Sequence, residues 1–256
     1  MQARMNENTI RDRLVQRGQM LFDAPKQPIE FTRVAEADAL VNDLENYPHA
    51  FVLACVMDRQ MRAEKAWLIP YRISERLGNK FTMETLSTLS KEDVERLMSE
   101  PKPLHRFVDT MSRVFYSAIQ HILSKYKGNA ALIWSDHPPS AEVVYRFLEF
   151  EGVGPKIASM AANILARECK IPFADYFSID ISADIHVRRV FARLGLCPEN
   201  PTVEQVIYKA RALYPVFPGM MDMPCWEIGR RWCRPSTLEC EKCYMNDLCP
   251  TAGKGN

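Results

Sequence analysis

Apolar residues recur at intervals of three and four along almost the whole chain, the spacing of one face of an α-helix. The longest example runs from Leu104 to Tyr126, and Gly128 marks its end. No stretch of useful length alternates apolar and polar residues as a strand would, and there is no internal repeat or low-complexity tract. The pattern therefore predicts an all-α protein.

Helix-start signals and the same spacing locate the other helices. Ser90 with Asp93, and Thr202 with Gln205, have the form of a capping box, in which two side chains satisfy backbone N–H groups at a helix start. Helices are predicted at residues 8–21, 34–44, 49–57, around 67–73, 90–97, 140–150, 157–165, 184–194, 202–213 and 221–232.

The segment 49–57 stands out because it is almost entirely apolar. Pro48 precedes it, and the polar turn Asp58-Arg59-Gln60 follows it. An apolar helix that runs into a polar turn is expected to lie in the core and to end at the surface.

Composition and charge are those of an ordinary globular protein, with 47% apolar and 25% charged residues. A chain of 256 residues is long enough for a large core in one or two domains. The start of the chain has no apolar signal segment, and the longest apolar run, residues 50–57, is too short to span a bilayer. We therefore expect a cytoplasmic protein. The net charge of +1 does not indicate a polyanionic partner, so any nucleic-acid surface has to be local.

Four of the eight cysteines lie close together, at Cys233, Cys240, Cys243 and Cys249, with the spacing C-x6-C-x2-C-x5-C. The segment is too short to form a core of its own, which indicates a metal centre. Four thiolates suit a [4Fe-4S] cluster or a zinc ion. The compact spacing favours the cluster, because structural zinc usually takes two separated cysteine pairs. Unrelated buried cysteines or two disulfides are the remaining interpretations, and for the other four cysteines burial in the core is expected.

The segment Gly152-Val153-Gly154 joins two predicted helices through a turn that needs positive φ and close backbone approach. Pro155 suits the first position of the second helix. The free N–H groups at such a helix start can bind a phosphate, although a plain helix connection has a similar sequence. Lys156 follows at once, either as a surface lysine or as an amine nucleophile. A nucleophilic amine has to lose its proton, and lowering a pKa near 10.4 by about three units costs roughly 4 kcal/mol.

Asp184 precedes another predicted helix, where an aspartate is first of all an N-cap. Its carboxylate could also act as a general base or stabilise positive charge that develops on a sugar. Asp180 is a competing candidate four residues earlier. His186 and Arg189 either reach a phosphate or only decorate the helix.

The hairpin, the aspartate and the cysteine segment together resemble the helix-hairpin-helix DNA glycosylases of the endonuclease III type. The family hairpin reads Leu-Pro-Gly-Val-Gly-x-Lys-x-Ala, and residues 151–158 read Glu-Gly-Val-Gly-Pro-Lys-Ile-Ala. The family segment Val-Asp-Thr-His-Ile/Val-x-Arg-Val is similar to residues 183–190, Ala-Asp-Ile-His-Val-Arg-Arg-Val. The cysteine spacing is also that of the family, and the resemblance covers roughly residues 48–249.

The resemblance implies a base-excision repair enzyme that flips a damaged nucleotide out of double-stranded DNA and cleaves its glycosidic bond. In the family the hairpin lysine attacks the sugar, and the Schiff base permits β-elimination at the abasic site. Lys156 is then the nucleophile, Asp184 its acid–base or electrostatic partner, and the four clustered cysteines hold a structural [4Fe-4S] cluster. The implied DNA-binding residues are Gly152, Val153, Gly154, Gln60, His186, Arg189, Arg230, Arg231 and Arg234.

The resemblance also implies a monomer of two helical domains with the active-site cleft between them. An iron–sulfur domain is expected to combine residues 1–30 with 170–256. A central bundle is expected at 31–169, with the helix-hairpin-helix at about 141–168.

Two departures from the family pattern concern the site. The interval from Lys156 to Asp184 is longer than usual, which keeps Asp180 as a candidate. Of the segment that often reads Ser-Gln-x-Thr or Ser-Gln-Gln, only Gln60 aligns, as the residue that fills the gap left by the flipped base. The alternatives are a monofunctional glycosylase for alkylated or mismatched bases, a non-catalytic iron–sulfur DNA-binding module, and a zinc-dependent nucleic-acid binder.

Overall fold

The computed structural model describes residues 2–252, with the side chains of residues 6–252. Residues 1 and 253–256, at the two ends of the predicted iron–sulfur domain, lie outside the described residues. The α-helices, numbered α1 to α13 in chain order, are Gln2–Asp23, Ala35–Asn42, Pro48–Met57, Ala63–Ala66, Ile69–Arg76, Met83–Ser87, Lys91–Ser99, Val108–Tyr126, Ser140–Leu148, Pro155–Arg167, Ile185–Arg193, Val203–Leu213 and Asp222–Arg231.

The described chain contains no β-strand, which confirms the predicted all-α class. Its one β-type contact is an isolated antiparallel bridge between Cys233 and Leu238. Short 3-10 helices lie at Ala130–Ile133, Pro218–Met221 and Cys240–Lys242. No helix in the described range has the length and apolar character needed to cross a membrane.

Both predicted capping boxes are present. The Ser90 side chain accepts from the N–H of Asp93, and Asp93 accepts in return from the N–H of Ser90 at the start of α7. Thr202 and Gln205 exchange the same pair of bonds at the start of α12. Each box satisfies N–H groups that have no partner inside the helix.

The predicted core helix is α3, and all ten of its residues are buried. It contacts α2, α5, α8 and α10 and the 3-10 helix Ala130–Ile133. A helix that is covered on every side has no polar face, which explains its almost entirely apolar sequence. The chain reaches the surface immediately afterwards, since Asp58 is buried and Arg59 and Gln60 are exposed.

The buried apolar residues form two clusters. The larger one is built mainly from α2 to α10, and Phe173, Ile179, Phe217 and Met220 from later in the chain join it. The smaller one combines Ile10 and Leu14 of α1 with apolar side chains from residues 181–245. In the smaller cluster α11 and α13 pack against each other, and α1 contacts both α10 and α13. The two clusters agree with a two-part organisation, and the domain boundaries stay a prediction.

Candidate active site

The predicted hairpin lies between α9 and α10. Gly152 has φ +82°, a conformation that side chains with a Cβ rarely adopt. A Cβ at this position would lie 3.2 Å from an Nη1 atom of Arg59. Gly154 is different: it is the N-cap of α10 with φ −106°, and no atom lies within 4 Å of a Cβ placed there. The turn therefore needs one glycine for its conformation, while the second leaves open space in front of the start of α10.

Lys156 is the second residue of α10, and its side chain is exposed. It is in no salt bridge with the residues that the structure describes. The first N–H groups of α10 point out of the same helix end, and both they and the helix dipole favour a bound anion. The lysine and this helix end thus form one positively charged surface.

Asp184 is the N-cap of α11, as predicted. Its Oδ1 accepts from the N–H groups of His186 and Val187, both at 2.8 Å. These two bonds fix the carboxylate in one orientation at the positive end of the helix. The side chain stays partly exposed, so the second carboxylate oxygen is available for other contacts.

The long connector before Asp184 is held at several points. The Ile179 carbonyl accepts from Gly219 N at 2.8 Å, and the Asp180 carbonyl accepts from Asn163 Nδ2 at 3.0 Å. The N–H of Ser182 donates to Asp222 Oδ1 at 2.7 Å. The extra residues therefore do not leave Asp184 on a loose loop.

Asp180, the competing carboxylate, is already paired. Its two oxygens accept from Nε and Nη2 of Arg211, both at 2.7 Å. A bidentate pair of this kind holds the carboxylate against its own partner. Asp184 is in no salt bridge with the residues that the structure describes, and the choice between Asp184 and Asp180 as the catalytic carboxylate stays a prediction.

Asp58, which the sequence analysis treated only as part of a polar turn, is a buried carboxyl group whose pKa responds to the charges of both Lys156 and Asp184. Its side chain is 8% exposed, at the end of α3. Burial raises the pKa of Asp58, the positive charge of Lys156 and a hydrogen bond from Trp67 lower it, and the negative charge of Asp184 raises it. Lys156 and Asp184 therefore both act on one buried carboxyl group. The available signal was an acidic residue placed directly after an almost entirely apolar helix.

Gln60 follows Arg59, whose side chain reaches Gly152 of the hairpin, and it is exposed with φ +54°. Its carbonyl accepts from Nη1 of Arg106 at 3.2 Å. Left-handed conformations of residues other than glycine are uncommon and are enriched at functional sites. Arg59 and Arg106, which sequence reasoning did not single out, add positive charge next to Gln60.

Arg189 and His186 have mainly internal partners. Arg189 donates to the carbonyls of Cys233 at 2.8 Å and Gly229 at 2.9 Å. Its Nη2 lies 3.0 Å from Nδ1 of His186. Burial lowers the pKa of both side chains. These contacts tie α11 to the end of α13, which supports a structural role, and DNA contact by either residue stays a prediction.

The three arginines around the end of α13 are exposed. Arg230 pairs with Glu64 of α4 at 3.0 Å, and Arg231 pairs with Glu227 at 3.2 Å. Nε of Arg234 donates to the Arg230 carbonyl at 3.2 Å. All three keep part of their surface open to solvent, and their contact with DNA stays a prediction.

The four clustered cysteines line one cavity of about 30 Å³. This is more than the roughly 10–15 Å³ that one water molecule needs. All eight cysteines have free thiols, so the disulfide interpretation is wrong. Burial raises the pKa of Cys243 to about 11, and Nη1 of Arg193 lies 3.2 Å from Sγ of Cys233.

Cys233 and Cys249 are fixed by backbone bonds, from Cys233 N to the Ile228 carbonyl at 2.8 Å and from Cys249 N to the Met245 carbonyl at 2.9 Å. Within residues 2–252, no three His, Cys, Asp or Glu side chains are arranged to hold a single metal ion. The four thiols line one shared cavity, and the group that they hold stays a prediction.

Comparison with known proteins finds a relative that matches most of the chain. No protein-family model matches the sequence. The chain is 24% identical over 214 residues to an endonuclease III from Thermotoga maritima, covering 81% of this chain and 85% of that protein.

Solved structures of an endonuclease III and of a glycosylase also match nearly the whole chain. A trapped covalent endonuclease III–DNA intermediate is 19% identical, with 97% of each chain covered and a TM-score of 0.64. A thermostable thymine-DNA glycosylase is 14% identical, with 99% of this chain and 100% of that chain covered and a TM-score of 0.63. The chain thus has the all-helical fold of the endonuclease III and helix-hairpin-helix glycosylase structures.

Alanine substitutions at the two hairpin glycines should differ in their effect on the free energy of unfolding. Gly152→Ala should destabilise the protein by about 1–2 kcal/mol, because the left-handed conformation is unfavourable for alanine. Gly154→Ala should leave stability unchanged or raise it slightly, since its backbone is extended and its surroundings are open. Urea unfolding of the matched pair measures the difference, and equal midpoints would contradict this account of the turn.

Proposed function

We propose that the protein is a DNA glycosylase of base-excision repair with an associated abasic-site lyase activity. The observation that supports this most is that Lys156 lies exposed at the start of α10, directly after the hairpin, while Asp184 caps the start of α11 in a fixed orientation. The fold is shared with an endonuclease III that was trapped covalently on DNA. Double-stranded DNA with a damaged base or an abasic site is then the substrate, and we expect the protein to act on it as a monomer.

A base in a duplex is shielded by its neighbours, so the target nucleotide has to leave the stack before its sugar can react. The positive start of α10, with open space in front of Gly154, is suited to a backbone phosphate. Gln60 is exposed and is our candidate for filling the gap in the duplex. Binding then depends on a local basic surface, in agreement with the small net charge.

Lys156 is proposed as the nucleophile. Its unprotonated amine attacks C1′ of the flipped nucleotide, the glycosidic bond breaks, and the base leaves with the bonding electrons. Loss of a second proton from nitrogen opens the sugar ring to a Schiff base, which permits β-elimination of the 3′ phosphate. The exposure of Lys156 suits this role, because the amine has to reach a sugar outside the protein.

Asp184 is proposed as the electrostatic partner. Its orientation is fixed by two N–H bonds, so its negative charge lies in place before the reaction starts. Positive charge develops on the sugar as the base departs, and a preorganised carboxylate stabilises it.

The four cysteines are proposed to hold a [4Fe-4S] cluster. Their shared cavity and their compact spacing in the sequence favour a multi-iron group over zinc. When bound, the group supplies four metal–thiolate bonds that hold residues 233–249 together. The chain's own contribution is to place Arg230 and Arg231 just before this segment and Arg234 within it, where they are available for phosphate contacts.

The main alternative is base release without lyase chemistry. The similarity to a thymine-DNA glycosylase, almost equal in TM-score, keeps a mismatch-directed glycosylase as the second candidate. Lys156 would then contact phosphate only, and the two candidates differ in whether a Schiff base forms.

Borohydride trapping on DNA that contains an abasic site should yield a covalent protein–DNA adduct. Lys156→Gln should abolish it, because glutamine has no nucleophilic amine, while DNA affinity falls only modestly. Lys91→Gln is the matched control, because Lys91 is also an exposed lysine at a helix start and is in no salt bridge with the residues that the structure describes, and it should keep the adduct. An adduct of unchanged yield in Lys156→Gln would remove this lysine from the nucleophile role.

Asp184→Asn should lose base release, by at least about 10²-fold if the charge acts as proposed, yet still bind DNA. Asparagine is as good an N-cap as aspartate, so the melting temperature should change little. Single-turnover base release against a panel of lesions measures this effect. Normal turnover by the variant would point to Asp180 or to neither carboxylate. A wild-type protein that binds DNA well and releases no base from any lesion would be a non-catalytic module.

Purified protein should be brown, absorb in the visible range and contain iron and sulfide. Cys240→Ser should lose most of the iron and lower the melting temperature, because one of four ligands is missing. Cys197→Ser, a half-buried cysteine outside the cavity, is the matched control and should keep both. Stoichiometric zinc in a colourless protein would show that the cluster assignment is wrong.

A further inference from the structure

His105 is a buried histidine with a hydrogen bond at each ring nitrogen. It lies in the connector between α7 and α8 and is 2% exposed. Its Nδ1 accepts from the N–H of Phe107 at 3.0 Å, and its Nε2 lies 3.1 Å from the carbonyl oxygen of Arg59. His105 therefore joins the connector before α8 to the turn that follows α3, 46 residues earlier in the chain.

The two partners of His105 determine which ring nitrogen carries the proton. A backbone N–H can only donate, so Nδ1 has to be unprotonated, and a carbonyl can only accept, so Nε2 has to carry the proton. Burial lowers the pKa of His105, and the positive charges of Arg106 and Arg59 lower it further, which favours the neutral ring. A charged ring would place a second proton against the N–H of Phe107. The link is thus specific to one neutral tautomer.

The turn that His105 holds is the one that carries Gln60. Gln60 has φ +54°, a left-handed conformation that is uncommon for residues other than glycine and persists only where neighbouring groups impose it. The Arg59 carbonyl belongs to the peptide group before Gln60, and Nε2 of His105 donates to it. The Gln60 carbonyl belongs to the peptide group after it, and Nη1 of Arg106 donates to it at 3.2 Å. Two adjacent residues of one connector therefore hold the peptide groups on both sides of Gln60.

These contacts bring exposed side chains of the turn and of the connector together. The guanidinium of Arg106, which binds the Gln60 carbonyl, lies 4.7 Å from the ring centre of Phe107, and both Gln60 and Phe107 are exposed. The side chain of Arg59 extends in turn to the hairpin at Gly152. Positive charge beside an exposed aromatic ring is a common feature of surfaces that bind nucleic acids.

His49 provides a contrast, because its bond lies inside the core. It is also buried, and its Nε2 lies 2.7 Å from the carbonyl oxygen of Phe81. Phe81 is itself buried, so this bond joins two parts of the core. The carbonyl that His105 binds belongs instead to an exposed residue, next to exposed Gln60. The bond of His105 therefore fixes a surface turn rather than the core.

We propose that His105 is a positioning residue that holds Gln60 in the conformation in which it enters the gap left by a flipped nucleotide. The proposal rests on the proposed function and deepens it by adding a residue that prepares the turn for DNA. His105 is buried, so it acts on DNA only through the turn.

A turn that is fixed in advance affects one part of DNA binding. A turn that is free in the unbound protein has to be ordered when Gln60 enters the duplex, and this cost lowers the affinity. Contacts with phosphates do not require Gln60 to enter the duplex, so binding to undamaged DNA does not carry the cost. Loss of the bond between His105 and the turn should therefore lower the preference for a damaged site and leave the affinity for undamaged DNA unchanged.

The matched variants His105→Asn and His105→Gln test the bond to the Arg59 carbonyl. Both replace the ring by an amide that can donate and accept. The amide of asparagine ends at the position of Nδ1, where it can keep the bond from Phe107 but is too short to reach the Arg59 carbonyl. The amide of glutamine extends to the position of Nε2 and can donate to that carbonyl. The two variants lose the same ring and differ in which bond remains.

The measured quantity is the ratio of the dissociation constants for an undamaged duplex and for the same duplex with a tetrahydrofuran abasic-site analogue, at one salt concentration. His105→Asn should lower this ratio by about five- to tenfold, the effect of one hydrogen bond. His105→Gln should keep most of the wild-type ratio. His49→Asn is the matched control: it also removes a buried bond to a carbonyl, so it should lower the melting temperature and keep the ratio.

A double-mutant cycle shows whether His105 acts through Gln60. Gln60→Ala alone should lower the ratio, because alanine is too small to fill the gap. Adding His105→Asn to Gln60→Ala should lower it no further, since the residue that His105 positions is then gone. Additive losses would show that His105 acts independently of Gln60 and would overturn the proposal.

A measurement on the unaltered protein does not depend on the folding of any variant. Imidazole ¹⁵N NMR at neutral pH should show His105 as a neutral ring with its proton on Nε2. A charged ring, or a proton on Nδ1, is incompatible with the two bonds and overturns the proposal.

The remaining outcomes separate this proposal from the proposed function. If the wild-type protein binds the abasic-site analogue no more tightly than undamaged DNA, both the proposed function and the role of His105 are wrong. If the wild-type protein has the preference and His105→Asn keeps it in full, only the role of His105 is wrong. Equal losses in His105→Asn and His105→Gln would also overturn that role, because the missing ring would then be the cause.

Discussion

The complete burial of α3 is the constraint on which the rest of the site depends. A helix covered on every side can shift only if its neighbours shift as well, so its last turn is fixed relative to α10. The residue that follows the helix therefore has a defined position inside the protein. In this chain that residue is Asp58, and the charges of Lys156 on α10 and Asp184 at the start of α11 shift its pKa in opposite directions. The packing of the core thus determines which charges meet.

The starts of α10 and α11 are held in position by different kinds of contact. The start of α10 is positioned by residues next to it in the chain, with one glycine in a left-handed conformation and a proline at the first position of the helix. Asp184 arrives after a long connector, which backbone bonds from Gly219 and Ser182 and the Asn163 amide hold against the body of the protein. A longer connector than is usual for the resembled family is therefore compatible with a well-defined site.

Much of this was predictable from sequence because the signals were local. The capping boxes at Ser90 and Thr202, the N-cap at Asp184 and the apolar helix before Asp58 each depend on residues a few positions apart. The convergence of four cysteines on one cavity also followed from spacing. The five-residue helix Met83–Ser87 was not predicted, since it is too short to show a periodic pattern.

The features of the site that could not be predicted from the sequence depend on residues far apart in the chain. The expectation that both hairpin glycines need positive φ was only half correct, because Gly154 is extended and its open space appears only in three dimensions. The sequence around Arg189 is typical of a surface helix. Its guanidinium nevertheless donates to the carbonyls of Gly229 and Cys233, about forty residues away in the chain. Asp58 gains its significance from charges on α10 and at the start of α11, and no local pattern reveals them.

The central claim is that a lysine at the hairpin forms the covalent bond to DNA, with carboxylates placed around it by the fold. Proteolysis of the trapped protein–DNA complex, followed by mass spectrometry of the DNA-linked peptide, tests it most directly. The account predicts that the modified residue is Lys156. A modification at the N-terminal amine, or at a lysine remote from Asp58 and Asp184, would contradict it.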